Sequence, residues 1–162
     1  MLVHIPSVLT AAQIETVNRL LSKARFVPGG DSAGMAARRV KRNRELAPDA
    51  EETLELNRIV MGNLVRHPTY KSAALPLRVA APFYASYEPG MAYGDHVDDP
   101  VMGSGERYRS DLSITVFLNE PEAYDGGELV IRTTLDERHV KLPAGDVILY
   151  PSHSLHRVSE VT

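Results

Sequence analysis

Asp111-Leu112-Ser113-Ile114-Thr115-Val116-Phe117-Leu118 is followed at short intervals by Glu128-Leu129-Val130-Ile131-Arg132-Thr133, Arg138–Leu142, Asp146-Val147-Ile148-Leu149-Tyr150 and Leu155–Val161. These runs are rich in β-branched and aromatic residues, are short, and are separated by glycine, proline and acidic turns, which is the pattern of strands rather than helices. On the N-terminal side, Tyr93–Val97 and Leu77–Tyr87 read the same way, with Pro82 marking the latter as an edge strand or a bulge. About seven closely spaced strands predict a mainly β fold of the jelly-roll kind.

Upstream, the periodicity changes to that of helices. Thr10 and Gln13 have capping-box spacing, and Ile14, Val17, Leu21 and Ala24 mark one apolar face that ends before Pro28-Gly29-Gly30. A second helix is predicted over 48–66: Pro48 suits a first turn, Asp49, Glu51 and Glu52 complement its positive end, Leu56, Ile59, Val60 and Leu64 form the stripe, and His67-Pro68 stops it. Both helices are expected to pack outside the sheets. The 162 residues suit a single domain, with a helical part over about 1–70 and a β core over about 77–162.

Composition excludes several kinds of chemistry. There is no cysteine, so disulfides, thiolate metal sites and cysteine nucleophiles are ruled out, and any metal must be held by nitrogen and oxygen. A net charge of −3 argues against nucleic acid as a partner. The first residues lack the features of a secretory signal, and no apolar run approaches membrane-spanning length, so a cytoplasmic location is expected. One basic run, Arg38, Arg39, Lys41, Arg42 and Arg44, would attract an acidic substrate if it bordered a pocket, although a solvated loop or edge strand is the plainer reading.

The sharpest chemical signal is His96-Val97-Asp98. Alternate residues of a strand face one side, so an imidazole and a carboxylate are brought together. A second histidine from a distant strand would complete a 2-His-1-carboxylate triad, which suits non-haem iron(II) and leaves positions open. His156 lies on a predicted alternating strand and is preferred to His153, which sits in a turn-like Pro151-Ser152-His153-Ser154. His4, His67 and His139 have no acidic partner at a matching spacing. Asp95 and Asp99 should face away from Asp98, and a calcium loop built from these three aspartates lacks the required spacing and closing glutamate.

The ordered set Tyr87-Glu88-Pro89-Gly90, Tyr93, His96-Val97-Asp98, Arg109-Ser110-Asp111-Leu112-Ser113, Phe117-Leu118-Asn119, Tyr124-Asp125-Gly126-Gly127-Glu128-Leu129, Leu149-Tyr150-Pro151 and Leu155-His156-Arg157-Val158 resembles the prolyl-4-hydroxylase-like oxygenases, and among them the bacterial PKHD-type hydroxylases. Val40-Lys41 and Asn43, ahead of Leu46-Ala47-Pro48, extend the resemblance over most of the chain. It implies a double-stranded β-helix in which His96, Asp98 and His156 hold Fe(II), 2-oxoglutarate and O2 are cosubstrates, L-ascorbate is an auxiliary cofactor, and a substrate is hydroxylated with release of succinate and CO2. It also implies a cosubstrate-facing hydroxyl at Tyr87, a role that Tyr84 and Tyr93 share as candidates. The substrate is open between a small molecule and a peptide or protein.

The resemblance also carries a departure. In the family an arginine about ten positions after the second histidine pairs with the far carboxylate of 2-oxoglutarate; here that place lies beyond Thr162, as does the last strand. Arg157 should not replace it, because its neighbour His156 faces the site. The sequence therefore reads as a truncated oxygenase with an open sheet edge and a tendency to self-associate. A non-catalytic iron- or ligand-binding β-barrel acting as a sensor is the alternative. A cupin-type manganese or zinc enzyme fits less well, since cupins present His-x-His where this chain has His96-Val97-Asp98.

Overall fold

The computed structural model describes every residue except 33, 34 and 104. Its helices are α1 (Ala11–Leu21), α2 (Met35–Arg38), α3 (Thr53–Leu64) and α4 (Pro68–Ala74). The strands in chain order are β1 (Val3–Ile5), β2 (Phe26–Pro28), β3 (Lys41–Arg42), β4 (Arg44–Leu46), β5 (Ala85–Ser86), β6 (Ala92–His96) and β7 (Val101–Met102). They continue with β8 (Tyr108–Arg109), β9 (Leu112–Val116), β10 (Leu129–Arg132), β11 (Glu137–Val140), β12 (Val147–Pro151) and β13 (His156–Val158). The fold is mainly β, with the predicted helices on its flank.

Two antiparallel sheets form the jelly-roll framework, one ordered β1-β12-β9 and the other β11-β10-β13-β6-β3. They do not close into a barrel: β9 is an edge strand, and β5 belongs to a separate sheet ordered β2-β4-β5. Strand β12 is buried on both faces, which is why its sequence is a continuous apolar run. Ile148 and Tyr150 pack with Phe117, Leu129 and Ile131 between the sheets, whereas Val147 packs with Ile5, Val8, Leu64 and Tyr70 on the helical side. Each such buried side chain contributes roughly 1.5–3 kcal/mol. Val17 of α1 and Leu56, Ile59 and Val60 of α3 form the adjoining core with Leu9 and Tyr84.

Helix α1 begins as its sequence predicts, with Thr10 Oγ1 accepting from the Gln13 N–H and Gln13 Oε1 accepting from the Thr10 N–H. Helix α3 starts later than expected. Residues 48–52 make tight turns instead, with Ala50 N–H donating to Ala47 O and Thr53 N–H to Ala50 O. Pro68 does stop α3, but it also begins α4, because a proline ring pre-sets the first helical turn. Of the predicted Leu77–Tyr87 strand only β5 forms, paired with β4. Pro76 and Pro82 remove ladder donors there, and Leu77 is 96% exposed. Among the described residues no helix is long and apolar enough to cross a membrane.

Candidate metal centre

Strands β13 and β6 pair antiparallel with His156 directly opposite His96. This register brings together histidines sixty positions apart in sequence, and their ring centroids lie 4.2 Å from one another. Asp98 follows just past the end of β6, where its N–H donates to Ser152 O at 3.3 Å. One ligand atom from each of the three residues lies within 4.8 Å of the others, a set that one metal ion can bridge.

The hydrogen bonds around this set decide which atoms are available. His96 Nδ1 lies 2.8 Å from Gly94 O and His156 Nδ1 3.0 Å from Ser154 O. A carbonyl only accepts, so each Nδ1 carries the proton and each Nε2 presents its lone pair. Those Nε2 atoms lie 3.8 and 3.7 Å from the same oxygen, Asp98 Oδ1. The other oxygen, Oδ2, accepts from the Ser113 hydroxyl on β9. Burial, followed by the neighbouring His156, lowers the pKa of His96 against the opposing effect of its Gly94 hydrogen bond, which favours the neutral imidazole that a metal needs.

Aromatic rings seal the inner side. Tyr93 stacks on His96 with centroids 3.5 Å apart, and Tyr150 meets His156 edge-on at 5.2 Å. Desolvation raises the Tyr93 pKa to about 12, and it pushes Tyr87 and Tyr150 up as well, so all three hydroxyls stay protonated at neutral pH. Tyr87 belongs to this wall, lying close enough to its neighbours for ionisation of Tyr93 to raise the Tyr87 pKa and ionisation of Tyr87 to raise that of Tyr150. Tyr84 does not: it sits in the helix-covered core and donates to Asn57 Oδ1 at 2.9 Å. The open side lies by the half-buried Asp98, where a cleft of about 370 Å³ is lined by Val97, Asp98, Arg109, Asp111 and His153. A hollow of similar size near Ser7 and Glu120 lies away from the histidines.

The other candidates are placed elsewhere. His153 is exposed in a turn. Asp95 faces outward and pairs with Arg157 at 3.4 Å, and Arg157 also pairs with Glu137 at 2.7 Å, so this arginine is committed to the outer face of the sheet. The basic run is divided by strand alternation: Lys41 pairs inward with Glu45, while Arg42 and Arg44 pair outward with Glu160 and Glu88. His4 and His139 do have carboxylate partners, Asp146 and Glu128 at 2.7 Å each, supplied by distant residues that spacing alone did not reveal. Sequence reasoning also missed Ser113, whose partner Asp98 follows a strand of the other sheet.

Comparison with known proteins agrees with this geometry. A model of the 2OG-Fe(II) oxygenase superfamily matches residues 82–162. A PKHD-type hydroxylase of Thioalkalivibrio sulfidiphilus is 54% identical over 100% of this chain and 73% of its own length. The chain belongs to the 2OG-Fe(II) oxygenase superfamily. A second PKHD-type hydroxylase, from Herminiimonas arsenicoxydans, is 48% identical over 99% of this chain and 73% of its own length. The oxygenase fold extends to distant relatives. A Pseudomonas putida prolyl-4-hydroxylase aligns with TM-score 0.63 at 18% identity, covering 98% of this chain and 85% of that one. A Trichoplax adhaerens prolyl hydroxylase, solved with a hypoxia inducible factor peptide fragment, aligns with TM-score 0.68 at 13% identity, covering 99% of this chain and 77% of that one. The oxygenases of this superfamily use Fe(II) and 2-oxoglutarate, and a donor set of two neutral imidazoles and one carboxylate, without sulfur, fits that metal.

Proposed function

We propose that this chain, acting as one domain, is an Fe(II)- and 2-oxoglutarate-dependent dioxygenase that hydroxylates a C–H bond of a small-molecule or peptide substrate, releasing succinate and CO2. His96, Asp98 and His156 would hold the iron. The observation that carries this reading is the convergence of two Nε2 lone pairs on one carboxylate oxygen, with both Nδ1 protons already given to backbone carbonyls. Iron bound there would supply activation of O2 coupled to oxidative decarboxylation of the keto acid.

The protein's own residues then account for positioning and for exclusion of water. Tyr93 and Tyr150 hold the imidazoles by ring contact and keep solvent from the buried side. Ser113 holds the Asp98 carboxylate so that Oδ1 faces both histidines. The protonated hydroxyl of Tyr87 is a hydrogen-bond donor for 2-oxoglutarate. The cleft beside Asp98 is the approach for the substrate, bounded by Arg109 and His153.

The direct test is an anaerobic titration with iron(II) and 2-oxoglutarate, following the visible charge-transfer band of the chelate. The band is expected in the parent and absent from His96→Ala and Asp98→Ala. Iron binding without a band, together with no succinate formation in air, would instead indicate a sensor.

A further inference from the structure

The segment joining β3 to β4 crosses from the sheet that carries His96 to the sheet that carries β5. Its side chains alternate: Arg42 and Arg44 face solvent, and Lys41, Asn43 and Glu45 turn inward. Lys41 and Glu45 satisfy one another as an ion pair whose side chains are each 8% exposed. Lys41 also reaches the Ser32 hydroxyl at 2.8 Å and lies 5.2 Å from the centre of the Tyr93 ring.

Asn43 is different. It is 6% exposed, and among the described residues neither its amide nitrogen nor its amide oxygen has a hydrogen-bond partner of good geometry. Buried polar groups left in this state are rare in folded proteins, and each calls for an explanation. The position is not slack: a Cβ at Gly29 would fall 2.1 Å from Asn43 Oδ1, and the Gly29 N–H donates to the Asn43 carbonyl at 2.9 Å. Only glycine leaves room for the amide as it stands. The Tyr87 hydroxyl faces Asn43 closely enough that the amide would donate to its ionised form, and its other neighbours are Tyr93 and Tyr150, the two rings packed on His96 and His156, and the carboxylate of Glu45, which is paired with Lys41. Asn43 thus lies at the far end of the aromatic wall that lines the candidate metal centre.

We propose that Asn43 is a binding residue for 2-oxoglutarate, its amide N–H donating to a carboxylate oxygen that also accepts from the Tyr87 hydroxyl. This inference rests on the reading of His96, Asp98 and His156 as the iron site. The ammonium of Lys41 is already engaged by Glu45, so among the described residues the free donor in this corner is the neutral amide. An amide whose groups go unmatched until the ligand arrives also makes binding sensitive to a well-placed acceptor.

The sign of the stability change separates a ligand-binding amide from a structural one. Replacing an unsatisfied buried amide by an apolar side chain of similar size removes a desolvation penalty, so Asn43→Leu is expected to melt at or above the parent temperature without ligands. In the anaerobic titration its iron(II) affinity is expected to equal the parent's, while the 2-oxoglutarate dissociation constant, read from the charge-transfer band, rises about tenfold. Asn43→Asp keeps the shape and opposes the ligand's carboxylate with like charge. It is expected to weaken 2-oxoglutarate at least as much and serves as the test if the leucine variant does not fold. Parent-like 2-oxoglutarate affinity in either folded variant overturns the inference while leaving the iron site standing. A parent that binds iron(II) but develops no band with 2-oxoglutarate overturns the site reading and this inference together.

Discussion

At the scale of the residue, the candidate centre depends on groups that do not themselves face a metal. Ser113 occupies Asp98 Oδ2, and backbone carbonyls occupy the Nδ1 atoms, so each ligand presents one defined atom. Outer-shell partners of this kind typically contribute a factor of about 10–100 in metal affinity. Ser113→Ala is therefore expected to weaken iron(II) binding about tenfold in a competition assay with a chelating dye, and Ser113→Thr to restore it. Failure of threonine to rescue would mean that the hydroxyl is not what orients Asp98. The convergence of His96, Asp98 and His156 was legible in the sequence because His-x-Asp spacing has a local geometric meaning and His156 stood on a recognisable strand. Ser113 was not, because its pairing with Asp98 joins strands of two facing sheets, a relation that no local pattern encodes. Asn43 was legible only as part of a resemblance; its unmatched amide is a property of packing.

Among the elements, the reading succeeded where β-branched and apolar residues run on for four or five positions between turn residues, as in β9, β10 and β12. It was silent on β2 and read the segment of β3 and β4 only as a loop or edge strand, which β3 is, since strands two or three residues long exist only through the partners they meet. The Leu77–Tyr87 segment shows the converse, with β-like composition but Pro82 within it, Pro76 just before it and, among the described residues, no strand partner along most of its length. On the outer face of the second sheet, Asp95 of β6, Arg132 of β10, Glu137 of β11 and Arg157 of β13 join four strands through ion pairs. Hydrogen bonds from Arg157, then Arg132, hold the Glu137 pKa at about 2, below the ordinary 4.5. A carboxylate depressed in the folded state adds stability above its unfolded pKa, and that stability is lost as pH falls through the folded value. The melting-temperature gap between the parent and Glu137→Gln should therefore be present at pH 6, narrow below about 4.5 and close near 2. A gap still open at the acid end would show that these pairs act through packing rather than charge.

Over the whole molecule, the candidate metal centre is held by parts of the chain that meet only on folding. His96 and His156 lie on paired strands, β1 pairs with β12, whose Tyr150 meets His156 edge-on, and Ser113 reaches Asp98 from the other sheet. The unfolded chain has no such convergence, so a metal that binds the site stabilises the native state by mass action. At a free iron(II) concentration one hundred times the dissociation constant the gain is about 2.7 kcal/mol, or roughly 5–10 °C in melting temperature for a chain of this size. Metal binding also requires neutral imidazoles. Because burial lowers the His96 pKa below the ordinary 6.5, its neutral form persists to lower pH than that of an exposed histidine, and the metal-induced shift should persist with it as the solution is acidified. Anaerobic calorimetry with and without iron(II) across this range checks both statements. The shift is expected to disappear in Asp98→Ala and His156→Ala, whose unliganded melting should stay cooperative. A shift of equal size in those variants would place the stabilising metal at some other group of side chains.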